Sequence, residues 1–117
     1  MLKSLIVDPD AIANLRALSP DDGDAFLKEI VAIFMDDTPK RIAELHACRI
    51  SGDTATFTRA AHSIKGSSSN LGATELRAAA ETLEHKSREN GLSDVDRLLA
   101  ELEAAFARAK EALIKLV

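Results

Sequence analysis

The most informative segment of the sequence runs from Ala60 to Ala73 and reads Ala-Ala-His-Ser-Ile-Lys-Gly-Ser-Ser-Ser-Asn-Leu-Gly-Ala. On a helix of about 3.6 residues per turn, residues three or four positions apart lie on the same face. Residues of this segment and just before it recur at that spacing and would form a seam that faces the core. That seam consists of Phe57, Ala61, Ile64, Ser68 and Leu71. A second, outward face carries His62, Lys65, Gly66 and Ser69. We therefore predict a helix that packs on one side and presents a histidine on the other.

Gly66 leaves two interpretations of where this helix ends. Glycine inside a helix costs about 1 kcal/mol relative to alanine, and three serines follow it. The helix could stop at Lys65 and give way to a Gly/Ser loop. It could instead continue to about Leu71 and stop at Gly72 in the left-handed conformation, with Gly66 kept small to admit something large. The apolar seam reaches Leu71, which favours the longer helix.

The outward residues follow a pattern of histidine, two residues, Lys-Gly, small residues, then Leu-Gly and another small residue. It is present as His62-Ser63-Ile64-Lys65-Gly66, followed after four residues by Leu71-Gly72-Ala73. Over about a dozen residues the chain resembles the histidine-containing phosphotransfer (Hpt, also written HPt) domain family of two-component phosphorelays. The remainder of the chain resembles the family only loosely, in length and helix order.

The resemblance implies a function and its partners. His62 would accept a phosphoryl group from a receiver-domain aspartate of a hybrid histidine kinase and pass it to the receiver of a response regulator. The receiver would bring the aspartate, Mg²⁺ and most of the catalytic groups, so that this chain binds no cofactor or metal and is a carrier, not an enzyme. The chain agrees with this in having no Walker-type G-x-x-x-x-G-K-[ST] segment.

The chemistry suits these residue types. A neutral imidazole is a competent nitrogen nucleophile near pH 7, and a phosphohistidine carries about two negative charges. Lys65, one turn after His62, would balance that charge. In-line transfer needs the reacting atoms at about 3 Å, so a small residue at Gly66 would leave room for the donor domain.

Further site residues follow from the resemblance. The family often places a basic or amide side chain on the adjacent helix near the phosphohistidine, and counting through the turn puts Glu84 and Arg88 there. Arg88 is a candidate second phosphate-stabilising cation, or equally a solvated charge near a helix C-terminus. The residues expected to dock the receiver are Arg59, Gly66, Ser69 and Glu84.

Composition limits the alternatives. At 117 residues the chain is one domain, residues 1–117, and its scarce glycine and proline indicate an all-α protein. A net charge of −4 argues against a nucleic-acid partner, and the single Cys48 excludes an internal disulfide. The apolar run within residues 1–7 is too short for a signal peptide, and nothing is long enough to span a membrane. We expect a soluble, cytoplasmic monomer with no membrane contact.

Helix boundaries are marked by caps and stops. Asp8-Pro9 opens a short helix carrying Ile12, Leu15 and Leu18, which we expect to cover one end of the core. Later boundaries are marked by Gly52-Asp53, by Asn90-Gly91 and by Ser93, which with Asp96 resembles a capping box. The predicted fold is an up-down four-helix bundle with a short N-terminal covering helix.

Thr38-Pro39 interrupts the pattern of the first long helix. Thr38 could cap a new helix with Pro39 at its first position, or one helix could kink at Pro39 and continue. Ile42 and Leu45 resume the apolar stripe, which favours a kink over a break.

The other histidines carry no motif. His85 should face water, and His46 should lie near the Ile42/Leu45 stripe; neither has the spacing of a metal ligand set. Two competing functions stay open, although the His62 motif weighs against the first and is shared by the second. One is a non-catalytic helical module that binds partners through an apolar face, and the other is the phosphoacceptor domain excised from a chemotaxis-type kinase.

Overall fold

A computed structural model describes residues 6–117 as five helices. Residues 1–5, within the segment judged too short for a signal peptide, lie outside the described part. The helices are α1 (Pro9–Leu18), α2 (Ala25–Ser51), α3 (Thr54–Asn70), α4 (Thr74–Asn90) and α5 (Asp96–Ile114).

The long helices form a four-helix bundle, as predicted. The most extensive contact is between α3 and α4; α2 packs against α3, α4 packs against α5, and α2 meets α5 to close the arrangement. Each helix directs an apolar stripe inward, and the largest fully buried side chains include Phe57, Leu45, Ile64, Leu83 and Leu102. Burial of this apolar surface is what holds the helices together, since isolated helices of this length are marginal in water.

The predicted caps explain four of the helix ends. The Asp8 side chain accepts a hydrogen bond from the Asp10 amide (2.9 Å), and the Asp53 side chain accepts one from the Thr56 amide (3.1 Å). Gly52 and Gly91 follow α2 and α4 and have positive φ, +80° and +71°, with Gly52 in the left-handed helical conformation. These boundaries agree with the sequence prediction.

The capping box predicted at Ser93 is wrong. Helix α5 begins at Asp96, its N-cap is Val95, and within residues 6–117 no side chain caps it. Val95 is fully buried. Val95 therefore takes the N-cap position, and α5 starts two residues later than a cap at Ser93 would place it.

Helix α2 continues through Pro39 without a break. Thr38 is buried inside the helix and does not cap a new one, so the interpretation with a separate second helix is wrong. Buried residues before and after the proline, Leu27, Val31 and Phe34 on one side and Leu45 and Cys48 on the other, belong to the same helix. Their burial offsets the hydrogen bond that proline cannot make.

Helix α1 covers one end of the bundle. It packs against α2, and the Asp8 amide donates to the Gly72 carbonyl (2.7 Å) in the turn between α3 and α4. Ile12 is buried as predicted, whereas Leu18, at the end of α1, is 69% exposed. The covering contact is thus made by the first part of α1, next to the end of the His62 helix.

Across residues 6–117, none of the helices combines the length and the apolar character needed to cross a bilayer.

Candidate functional site

Helix α3 passes through Gly66 and ends where the longer interpretation placed its end. Asn70 is its last residue, Leu71 is the C-cap and Gly72 has φ +67°. The Ser68 hydroxyl donates to the Ile64 carbonyl (2.6 Å), so it is satisfied by the turn before it. Such a bond lets a serine remain within a helix. The interpretation that ended the helix at Lys65 is wrong.

Gly66 opens the surface beside the histidine. No described atom lies within 4 Å of the position that a Cβ would occupy there, and Gly66 keeps an ordinary helical conformation. Space, not backbone geometry, is therefore what the missing side chain provides.

His62 is held through one of its two ring nitrogens. Its side chain is 63% exposed, and Nδ1 lies 2.9 Å from Oε2 of Glu84 on α4. Because a carboxylate is an acceptor, this contact places the ring proton on Nδ1 when the imidazole is neutral. The lone pair of Nε2 is then available on the outward side of the ring.

Glu84 is the buried centre of the site. It is only 2% exposed, and its carboxylate is surrounded by three potential donors. Lys65 Nζ lies 2.8 Å from Oε1, and an Arg88 guanidinium nitrogen donates to Oε2 at 2.7 Å. Burial by itself would raise the pKa of Glu84, but Lys65, His62 and Arg88 outweigh it and lower the pKa to about 2. The carboxylate is ionised at neutral pH.

A second polar contact holds α4 against α3 one turn away. The Thr58 and Ser87 hydroxyls are 2.7 Å apart, and Ser87, which is buried, also donates to the Glu84 carbonyl (3.1 Å). Thr58 precedes His62 by four residues and Ser87 follows Glu84 by three, so the pair lies one turn along the α3–α4 interface from the His62–Glu84 contact. This hydrogen-bonded pair could not be recognised in the sequence, because a threonine and a serine within helices belong to no motif.

The structure separates the four residues predicted to dock a partner. Arg59, Gly66 and Ser69 are exposed on the same helix as His62. Glu84 is buried beneath His62 and has no surface to offer. Its predicted docking role is therefore wrong, because its carboxylate is already paired with side chains of its own domain.

A shallow groove lies between α2 and the C-terminal part of α3, the helix that carries His62. It is here called the α2–α3 groove. Its lining residues are Ile30, Ile33, Phe34, Asp37, Ser67, Asn70 and Leu71. Ile33 is 57% exposed and contributes apolar surface to this groove. Sequence reasoning missed this residue, because it looks like one more member of the α2 stripe.

The other histidines lie outside this site. His85 is exposed on α4, as predicted. His46 does not pack against the apolar stripe; it is exposed, and its Nε2 lies 2.6 Å from Glu103 Oε1 on α5. Within residues 6–117 no group of three His, Cys, Asp or Glu side chains is close enough to hold a metal ion.

The profile of the Hpt domain family matches residues 29–112, which take in all of α3 and α4 and most of α2 and α5. The chain belongs to the Hpt domain family. The matched range covers well over half of the 117 residues and includes the whole His62 motif. The family predicted from the motif is thus confirmed.

Solved structures agree with this assignment. The Hpt chain is similar to the crystal structure of histidine-containing phosphotransfer protein B (HptB) from Pseudomonas aeruginosa PAO1, with 27% identity and a TM-score of 0.86 over 97% of this chain and 95% of that one. It also shares the fold of histidine-containing phosphotransfer protein MtHPt2 from Medicago truncatula, with 24% identity and a TM-score of 0.81 over 95% and 78% of the two chains. No curated protein sequence matches it.

Membership defines the general function. Hpt domains carry phosphoryl groups in phosphorelays and interact with receiver domains, and this chain is a phosphotransfer carrier of that kind. The all-α bundle with a short N-terminal helix is the Hpt fold, so the predicted fold and function are confirmed.

Proposed function

We propose that His62 is the phosphoacceptor of this Hpt domain and that Nε2 is the attacking atom. The observation that carries the proposal is the contact between Nδ1 and the ionised, buried Glu84. It keeps the proton on Nδ1 and leaves the Nε2 lone pair outward on a ring that is 63% exposed.

The reaction balances without loss of a proton. Nε2 attacks the phosphorus of an aspartyl phosphate, a new N–P bond forms, and the P–O bond breaks with its electron pair going to the aspartate. The imidazole becomes a phosphorylated imidazolium that still carries its Nδ1 proton. Glu84 stabilises the positive charge that develops on the ring, because the carboxylate is already in hydrogen-bonding distance of that proton.

The phosphoryl group needs a cation and space. Lys65 lies one turn from His62, and its side chain is 25% exposed, so it borders both Glu84 and the outward face. Gly66 leaves the next position on that face open. These two residues supply charge balance and access for the in-line approach of a partner's aspartate.

The partner we propose is the receiver domain, first of a hybrid histidine kinase and then of a response regulator. Arg59, Gly66 and Ser69 would meet the polar mouth of the receiver, and the α2–α3 groove would accept apolar receiver side chains, Ile33 providing exposed apolar area next to the site. The Mg²⁺ that assists transfer would sit on the receiver. We expect a monomeric carrier with no nucleic-acid or membrane partner.

Incubation with a phosphorylated receiver and Mg²⁺ tests the proposal. We expect acid-labile, alkali-stable phosphate on His62, and none on His62→Gln. His85→Gln is the matched control, since it removes an exposed histidine from the neighbouring helix. Wild-type labelling of the His62→Gln protein would contradict the assignment, and no labelling of any variant would favour a non-catalytic interaction module.

A further inference from the structure

We propose that Arg88 is a positioning residue that keeps Glu84 neutralised while Lys65 leaves it to contact the phosphoryl group on His62. The inference rests on the proposed function and adds a movement to it: an exchange of ion pairs in which no covalent bond changes. Arg88 would thus act on the phosphoryl group through Glu84 and Lys65, not by touching it.

The first support is the excess of positive charge around Glu84. One buried carboxylate is approached by two permanent cations, Lys65 at 2.8 Å and Arg88 at 2.7 Å. A single cation would be enough to neutralise it. The second is therefore available when phosphorylation brings about two negative charges to His62, partly offset by the imidazolium charge.

The second support is that the two cations are held differently. Arg88 makes a hydrogen bond to Oε2 and projects from α4 four residues beyond Glu84, where it stays on the same face of the same helix. Lys65 reaches Oε1 from the other helix, α3, at the end of a flexible four-carbon stem. Because it is not anchored on the helix that carries Glu84, Lys65 is the cation that leaves more easily.

The third support is position. Lys65 lies three residues after His62 on α3, and its long flexible stem can turn from Glu84 toward Nε2 of the ring. If it left while Arg88 was absent, Glu84 would remain buried with only the imidazolium beside it. Leaving a buried carboxylate short of partners is strongly unfavourable, so Lys65 would instead stay on Glu84.

The exchange predicts a specific pattern of coupling between substitutions. Arg88→Ala should lower the equilibrium constant for His62 phosphorylation about three- to tenfold in the wild-type background. In a Lys65→Ala background it should have no further effect, because the cation that moves is gone. In a Glu84→Gln background it should also have none, because the neutral amide no longer retains Lys65.

The experiment is a set of double-mutant cycles read by ³¹P NMR. Each full-length variant is phosphorylated with phosphoramidate, and the phosphorylated fraction and the pKa of the phosphoryl group are measured. A nearby cation lowers that pKa, so Arg88→Ala should raise it only where Lys65 and Glu84 are both present. Arg88→Lys should restore most of the wild-type behaviour. Arg77→Ala is the control, because Arg77 pairs with Glu81 at the same spacing on the same helix.

The outcomes separate the two levels of the proposal. An equal effect of Arg88→Ala in all three backgrounds would mean direct contact of Arg88 with the phosphoryl group and would overturn the exchange alone. Absence of any phosphohistidine signal from wild-type His62 would overturn the proposed function, and the exchange with it. Melting temperatures of all variants show which are folded, and the Lys65→Ala cycle decides the question even if Glu84→Gln does not fold.

Discussion

The Nδ1 nitrogen of His62 lies 2.9 Å from Oε2 of Glu84, across the interface between α3 and α4. The ring is mostly in solvent, while the carboxylate is 2% exposed. An exposed imidazole is thereby oriented by a buried acceptor that water cannot easily displace. The same carboxylate gathers Lys65 and Arg88, so the orientation of the ring and the charge around it have a common origin.

Lowering the pH should reduce the free energy of unfolding by protonating Glu84. The pKa of this group falls from an ordinary 4.5 to about 2 in the folded protein. The unfolded chain therefore binds the proton first, and the stability contributed by Glu84 is present above pH 4.5 and is lost as the pH falls toward 2. We expect Glu84→Gln to remove roughly 2–4 kcal/mol of this pH-dependent change, because each pKa unit corresponds to about 1.4 kcal/mol.

The measurement is the free energy of unfolding by urea at several pH values between 2 and 6. Glu81→Gln, on the same helix and more exposed, is the matched control. A slope in the Glu84→Gln protein as steep as in the wild type would show that Glu84 is not the group that titrates.

Lys65→Ala should weaken phosphorylation of His62. Loss of a charge-assisted contact to phosphate is worth roughly 1–3 kcal/mol, which corresponds to about a five- to hundredfold lower equilibrium phosphorylation. Arg88→Ala should have the smaller effect of the two. Quantifying phosphohistidine after equilibration with a phosphorylated receiver checks this order, with Lys40→Ala on the surface of α2 as control. A larger loss from Arg88→Ala would reverse the ranking of the two cations.

Gly66 should separate stability from function. Because α3 runs through Gly66 and a Cβ there meets nothing, Gly66→Ala should stabilise the domain by up to about 1 kcal/mol. Gly66→Gln should also fold, yet it should strongly slow transfer from a receiver while leaving phosphorylation by the small donor phosphoramidate largely intact. Melting temperatures and transfer rates check both statements. Receiver transfer to Gly66→Gln at the wild-type rate would remove the steric argument.

Gly72→Ala should destabilise the protein more than the same change at Gly52. Both glycines have positive φ, so both substitutions carry a backbone cost of about 1–2 kcal/mol. At Gly72 the new Cβ would also lie 2.5 Å from Ala11 Cβ and 3.1 Å from the Asp8 carbonyl oxygen, whereas at Gly52 it would meet nothing. We expect about 2–4 kcal/mol at Gly72. Urea midpoints of the two variants check this. Equal losses of stability would show that α1 can shift away from the new Cβ at no cost in free energy.

Features that depend on residues a few positions apart could be predicted from the sequence. Spacings of three and four placed Phe57 and Ile64 inward and His62 outward, and Gly72 ended the helix, because side-chain direction on a helix follows from its period. The motif around His62 also identified the family, since it lies within one uninterrupted segment. The long helix through Pro39 could be predicted for the same reason, from an apolar stripe that continues after it.

The surroundings of His62 could not be predicted from the sequence, because they depend on how distant helices pack. His62 and Glu84 are 22 residues apart, and their contact depends on how α4 turns about its axis after the Gly72 turn, which packing against α3 sets. On the α4 sequence Glu84 looks like any helix carboxylate; burial at 2% exposure makes it the shared partner of three side chains and not a docking residue. The start of α5 at Asp96 was equally out of reach, because burial of Val95 outweighs the local signal of Ser93. Whether a side chain is buried depends on distant parts of the chain, so it cannot be predicted from the spacing of apolar residues within one helix.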